Sequence, residues 1–210
     1  MKKWLSLLLA SVMVFTLSAC SGAMLGGDGG KPALSRGQIE GDVYTNNYLC
    51  FQFTKPQSWV YSTDEEIADL LNTSVENLLG DKFKEALENS ESIYDMMVVD
   101  TLSGANVNVT YENLAKSLAT NITIEQYIAS LKEQVKNIPS ITVVFPDKYD
   151  TVKLGDSEFT RVACTTTMYG ITMKQIYYLR KVDKYMAVVV VTAQGSYSMA
   201  DIEAMFSKIA

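Results

Sequence analysis

The chain contains no histidine. That absence removes Ser-His-Asp and Cys-His catalysis, HExxH metalloproteases and His-containing zinc sites, together with the side chain whose ordinary pKa lies nearest neutrality. Basic residues are in deficit: 18 Lys and Arg face 24 Asp and Glu, for a net charge of −6 and a pI near 4.8. Affinity built on neutralising a phosphate backbone is therefore excluded, and no nucleic-acid partner is expected. Cysteine is scarce, with three in 210 residues. No Asp-x-Asn/Asp-x-Asn/Asp-Gly calcium loop and no nucleophile-base spacing occurs. The expectation is a chain without cofactor or metal that is not an enzyme.

What is present begins at the N-terminus. Met1-Lys2-Lys3 precedes an apolar run from Trp4 to Leu17, which leads into Ser18-Ala19-Cys20. A charged start, a short apolar core and small residues make a signal peptide. The run is too short to cross a hydrocarbon layer comfortably, which takes roughly 20 residues. Leu17-Ser18-Ala19-Cys20 resembles the bacterial lipobox, which implies cleavage before Cys20 and lipidation of its thiol. Two acyl chains anchor a protein stably where one does not. Loss of residues 1–19 removes Lys2 and Lys3 and no acid, taking the net charge from −6 to −8. Anionic headgroups repel such a body, so the lipid on Cys20 must supply the membrane attachment. Residues 20–37 hold half of the twelve glycines and read as a tether. Within them Gly26 to Lys31 is one residue short of a phosphate-binding loop and has Pro32 where that motif has Ser or Thr.

From residue 38 to 210 the pattern is that of one α+β domain, an antiparallel sheet covered by helices. Val43 to Phe53 reads as a hairpin turning at Asn46-Asn47, with Leu49, Phe51 and Phe53 on one face. Thr63 with Glu66, and Thr73 with Glu76, form capping boxes for two short helices, the second interrupted at Gly80-Asp81. Residues 93–99 make a buried strand. Asn106 to Tyr111 alternate, apolar in and polar out. Thr123 with Gln126 opens a helix carrying Tyr127, Ile128, Leu131 and Val135, stopped by Pro139. Strands follow at about 141–145, 148–154, 157–168, 171–181 and 184–193, with short connections that imply antiparallel neighbours. Ser198 caps a closing helix with Ile202, Met205, Phe206 and Ile209 inward.

The segment Phe51-Gln52-Phe53-Thr54-Lys55-Pro56-Gln57-Ser58-Trp59, the Asn106 to Val109 strand, the Thr123 helix and the final meander resemble the PsbP-like superfamily, and more closely its uncharacterised bacterial lipoproteins. The resemblance spans residues 38–210. It implies a PsbP-like fold and a role in binding proteins or stabilising assemblies, with no shared active site.

Other chemistries remain to be placed. Asp95, Asp100, Glu112, Asp147 and Asp150 lie near strand ends, where two converging carboxylates would support glycoside hydrolysis. Tyr44, Tyr48, Trp59, Tyr61, Tyr169, Tyr177 and Tyr178 would make a glycan or peptide platform if exposed together; Trp59 is expected to pack the hairpin onto a helix. Cys50 and Cys164 read as buried free thiols inside strands, with a disulfide between them the alternative in an extracytoplasmic compartment, and Met96, Met97, Met173 and Met186 as core filler. The expected function is a membrane-anchored extracytoplasmic lipoprotein that binds a protein partner. The alternatives are a carboxylate-based hydrolase of cell-envelope glycans and a glycan- or solute-binding lipoprotein.

Overall fold

The computed structural model describes residues 34–80 and 82–209. The expected signal peptide, the lipobox-like segment and Cys20 lie outside them. The short strands β1 (Gln38–Glu40), β2 (Val43–Asn46) and β3 (Phe51–Thr54) lead to β4 (Trp59–Tyr61) and helix α1 (Asp64–Leu71). A 3-10 turn at Val75–Leu78 and helix α2 (Lys82–Asn89) follow, then β5 (Ser92–Asp100) and β6 (Asn106–Asn113). After the short α3 (Leu114–Ser117) comes α4 (Ile124–Lys136). The C-terminal half is β7 (Ile141–Val144), β8 (Asp150–Leu154), β9 (Ser157–Met168), β10 (Ile171–Val182) and β11 (Tyr185–Ala193), closed by α5 (Met199–Glu203) and β12 (Phe206–Ser207).

All strand pairs are antiparallel. Among the described residues they make an eight-stranded sheet ordered β4-β5-β6-β11-β10-β9-β7, with β8 also on β9, and a small sheet ordered β1-β2-β3-β12. This is a single α+β domain in three layers. On one face of the large sheet, Val107, Val109, Tyr111, Ile176, Tyr178, Val189 and Val191 pack against Tyr44, Phe51 and Phe53 of the small sheet and against Ile67, Phe83 and Leu87 of α1 and α2. On the other, Tyr127, Ile128, Leu131 and Val135 of α4 cover Val162, Cys164, Tyr177, Leu179, Val188 and Val190. Their spacing of one, three and four residues puts them on a single helical stripe.

The local signals hold. Thr63 with Glu66, Thr123 with Gln126 and Ser198 with Asp201 each close a reciprocal capping box. Departures arise where distant pairing decides. Thr73 does not cap: Ser74 occupies the N-cap position of a 3-10 turn and makes no side-chain capping bond. Asn106–Asn113 is buried along its whole length, polar residues included, because β6 lies between β5 and β11 and carries packing on both faces. Strands β7 and β8 do not pair with each other. They run along the same edge of β9, β7 on its C-terminal half and β8 on its N-terminal half. Phe206, expected in a helix, instead pairs with Phe53 in the small sheet, where the two rings lie 5.0 Å apart.

The folded part also starts earlier than the tether boundary at residue 37. Arg36 Nη2 donates to Asp64 Oδ1 at 2.7 Å and Gly37 N–H donates to Asp95 Oδ1 at 2.9 Å. Asp95 is the extra residue of a bulge where the β5–β6 register shifts between Tyr94 and Met96. A bulge re-aims its side chain, here into the interior. There the carboxylate accepts hydrogen bonds from Tyr44 O–H and, at 2.8 Å, from Asn46 Nδ2. Residues 34–37 are thus a strap fastened to the core.

Candidate functional site

The five candidate acids lie in different surroundings. Asp95 is 1% exposed and sealed under the strap; burial raises its pKa to about 6, and the bonds from Tyr44 and Gly37 hold it from going higher. Glu112 is on the opposite face of the sheet beneath Tyr127, where burial raises its pKa to about 7. Asp100 accepts from the N–H and hydroxyl of Ser103, at 2.8 and 2.6 Å, and so fastens the β5–β6 turn. Asp147 and Asp150 are exposed on the β7–β8 connection and β8. Asp95 and Glu112 are separated by the sheet itself.

The aromatic platform does not form. Tyr44, Tyr48, Trp59, Tyr177 and Tyr178 are buried, Tyr61 is half-buried, and only Tyr169 of that set stands in solvent. Trp59 packs on Phe53 and Tyr197, with ring centroids at 6.3 and 5.2 Å. Both cysteines are free. Cys164 is buried in β9 under α4, and burial pushes its thiol up to about 12, which makes it inert. Cys50 is not in a strand: it is half-buried in the turn after β2, at φ 56°, and its Sγ lies 3.4 Å from Asn47 O. Met96, Met97, Met173 and Met186 are all core residues.

The arrangement best suited to a partner is at the far end of the large sheet. Helix α4 ends at Lys136, the chain turns through Pro139, and β7 returns alongside β9. Between α4 and β7 runs a groove of about 540 Å³, lined by Ala129, Val135, Ile141, Val143 and Phe145, with Lys132 and Lys136 among its charged residues. Lys132 is on the helix surface one turn from the buried Ile128. Its Nζ sits 5.5 Å above the Phe145 ring and 5.6 Å above that of Tyr149. These cation–π contacts steady the ammonium. Lys132 makes no ion pair among the described residues, whereas Lys136 binds Glu133 at 2.5 Å.

The backbone of β7 faces this groove. Tyr169 N–H donates to Ser140 C=O at 3.3 Å, and the register sets Thr142 against Thr167 and Val144 against Thr165. In an antiparallel ladder bonded and non-bonded pairs alternate. Thr142 and Val144 therefore exchange bonds with β9, while the N–H and C=O of Val143 and the C=O of Ile141 point away from it. Ile141 N–H, also turned outward, reaches back to Ile138 C=O at 3.4 Å. Around the same corner Val144 is 62% and Tyr169 69% exposed, with Ile171 beside them on the β9–β10 hairpin. None of Lys132, Val143 and Phe145 stood out in the sequence. The available signal was the run Ile-Thr-Val-Val between Pro139 and Pro146, whose status as an edge depends on what it pairs with.

No protein-family model matches the chain, and no curated protein matches it. Among solved structures, the solution structure of cyanobacterial PsbP (CyanoP) from Synechocystis sp. PCC 6803 is similar with a TM-score of 0.45 and 8% identity, over 87% of this chain and 98% of that one. A crystal structure from Bacteroides thetaiotaomicron VPI-5482 is similar with a TM-score of 0.38 and 10% identity, over 77% of this chain and 46% of that one.

Proposed function

We propose that the protein is a lipid-anchored, extracytoplasmic bacterial lipoprotein that acts without catalysis, by binding a protein partner at the groove between α4 and β7. The observation that carries this reading is the combination of an open strand edge, an apolar groove beside it and a lysine without a carboxylate partner among the described residues. Backbone hydrogen bonds, apolar pockets and one charge are what a protein surface needs to hold another chain. The signal peptide and lipobox supply the location, with Cys20 as the lipid attachment. The separation of Asp95 from Glu112 by the sheet removes the support that a carboxylate hydrolase would need, and the burial of the tyrosines removes that for a glycan platform.

Two measurements test it. Mass spectrometry of the membrane-extracted protein should find an acylated Cys20 as its first residue; an unmodified Cys20 refutes the anchoring. A photo-crosslinking residue at Thr142 should capture one discrete partner on intact cells, and the same residue at Leu102, 91% exposed on the β5–β6 turn, should not. Equal capture from both positions, or none from either, refutes binding at the groove.

A further inference from the structure

Most edge strands carry protection: charges, proline, a bulge, or a covering element. At the opposite end of the large sheet β4 is three residues long, and β8 carries the exposed Asp150 and Lys153 on its edge. Strand β7 is different. It is Ile-Thr-Val-Val, with no charge, no proline and an unbroken register against β9. Its residues Ile141, Thr142 and Val143 line the groove beside α4. Four β-favouring residues, with the Val143 N–H and C=O unpaired among the described residues, form a template for one more antiparallel or parallel strand.

We propose, building on the binding role above, that the groove takes an extended acidic peptide segment of the partner, added as a strand to β7. The side-chain chemistry follows from the pleat. Ile141 and Val143 face the α4 side of the sheet, where they pack against the core beneath that helix. Alternate residues of an added strand face the same way. One of them enters the space between Val135, Val143 and Phe145 and is therefore apolar. The neighbouring inward position approaches Lys132, whose ammonium is held over two rings and, among the described residues, has no carboxylate to neutralise it. A carboxylate there completes a charge-assisted contact, so that position is Asp or Glu. The chain as a whole is acidic, at −6, and repels an acidic peptide elsewhere. Lys132 thus sets the register as well as adding attraction. With four residues in β7, the paired stretch is short and the affinity modest.

The test uses the processed full-length lipoprotein in detergent and two blocked heptapeptides, Thr-Val-Thr-Asp-Val-Thr-Val and its counterpart with Lys in place of Asp. The Asp peptide should bind and slow hydrogen exchange at Val143, leaving Thr142 unchanged because that amide is already bonded to β9. The Lys132→Glu variant should bind the Asp peptide about tenfold more weakly and the Lys peptide more tightly than the parent does. Val143→Pro, which removes an outward N–H without touching the ladder to β9, should weaken both peptides; if that variant does not fold, Lys132→Glu carries the test alone. Binding unaffected by Lys132→Glu, or protection that falls elsewhere, overturns the proposal. So does protection of Val143 that grows with protein concentration in the absence of peptide, since the occupant is then a second copy. If neither peptide binds while Thr142 still captures a partner on cells, strand addition is wrong and the binding role stands.

Discussion

Glu112 offers a quantitative check on the packing beneath α4. The residue is 8% exposed, and burial raises the pKa of its carboxyl from 4.5 to about 7 in spite of a hydrogen bond from Tyr127; the nearby Glu91 carboxylate adds to the rise. A folded-state pKa above the unfolded one means that the folded protein binds the proton more tightly. Stability from this group is therefore complete below about pH 4.5 and is lost as pH rises through about 7. Each pKa unit corresponds to about 1.4 kcal/mol, so the loss amounts to roughly 3 kcal/mol by pH 8. Glu112→Gln keeps the shape and an oxygen for the Tyr127 hydroxyl but cannot ionise. The variant should match the parent within about 1 kcal/mol at pH 4.5 and exceed it by about 2–3 kcal/mol at pH 8. Asp95, also raised by burial, adds a similar slope between about pH 4 and 6, but both proteins share it and it cancels in the difference. Urea unfolding can be followed by fluorescence, since Trp59 is the one tryptophan in a chain that begins at residue 20. Parallel pH profiles for parent and variant would refute the reasoning, because they would mean that Glu112 titrates in the folded state as it does in the unfolded chain.

Three further outcomes follow from other parts of the interior. Gly155→Ala should destabilise by about 2 kcal/mol or more in chemical denaturation, since Gly155 has φ +59° and a Cβ there would lie 2.4 Å from Cys50 O and 2.7 Å from Phe51 Cβ. Tyr44→Phe should cost about 1–3 kcal/mol and move the titration of Asp95, seen by NMR of its carboxyl carbon, to higher pH, because the Tyr44 hydrogen bond now lowers it. A chain beginning at residue 38 should melt below one beginning at residue 34, read by circular dichroism, as it lacks the Arg36–Asp64 ion pair and the Gly37 N–H bond to Asp95; equal melting temperatures would show the strap to be passive.

What could be read from the sequence depended on range. The capping boxes at Thr63, Thr123 and Ser198 are decided within four residues and were legible; the alternation from Asn106 to Tyr111 marked a strand, but not that its polar face is buried as well. The helix stripe of α4 was legible for the same reason, since helical periodicity reports burial wherever one face is dry. Elements whose fate rests on a distant partner were not. Phe206 continues the apolar spacing of a helix yet joins the small sheet, because Phe53 and Phe51 offer ring contacts at 5.0 and 5.5 Å that another helical turn would forgo. The strap at Arg36 and Gly37 is invisible without Asp95, 58 residues beyond Gly37. Asp95 in turn looks like any strand carboxylate until the bulge turns it inward.

The candidate site belongs to this second class, and the reason lies in how β9 is shared. A strand of twelve residues has room on one edge for two shorter partners. Chain order alone suggests that β7 and β8, separated by Phe145 to Tyr149, fold onto each other as a hairpin. Had they done so, Val143 would be paired and the groove closed. Because β8 instead takes the N-terminal half of β9, from Ser157 to Arg161, and β7 the C-terminal half, from Thr165 to Met168, the connection between them runs along the edge. That route carries Phe145 and Tyr149 under Lys132. The open backbone, the aromatic support and the lysine with no carboxylate partner among the described residues are thus three consequences of one pairing choice, and a change that forced β7 onto β8 would remove all three together.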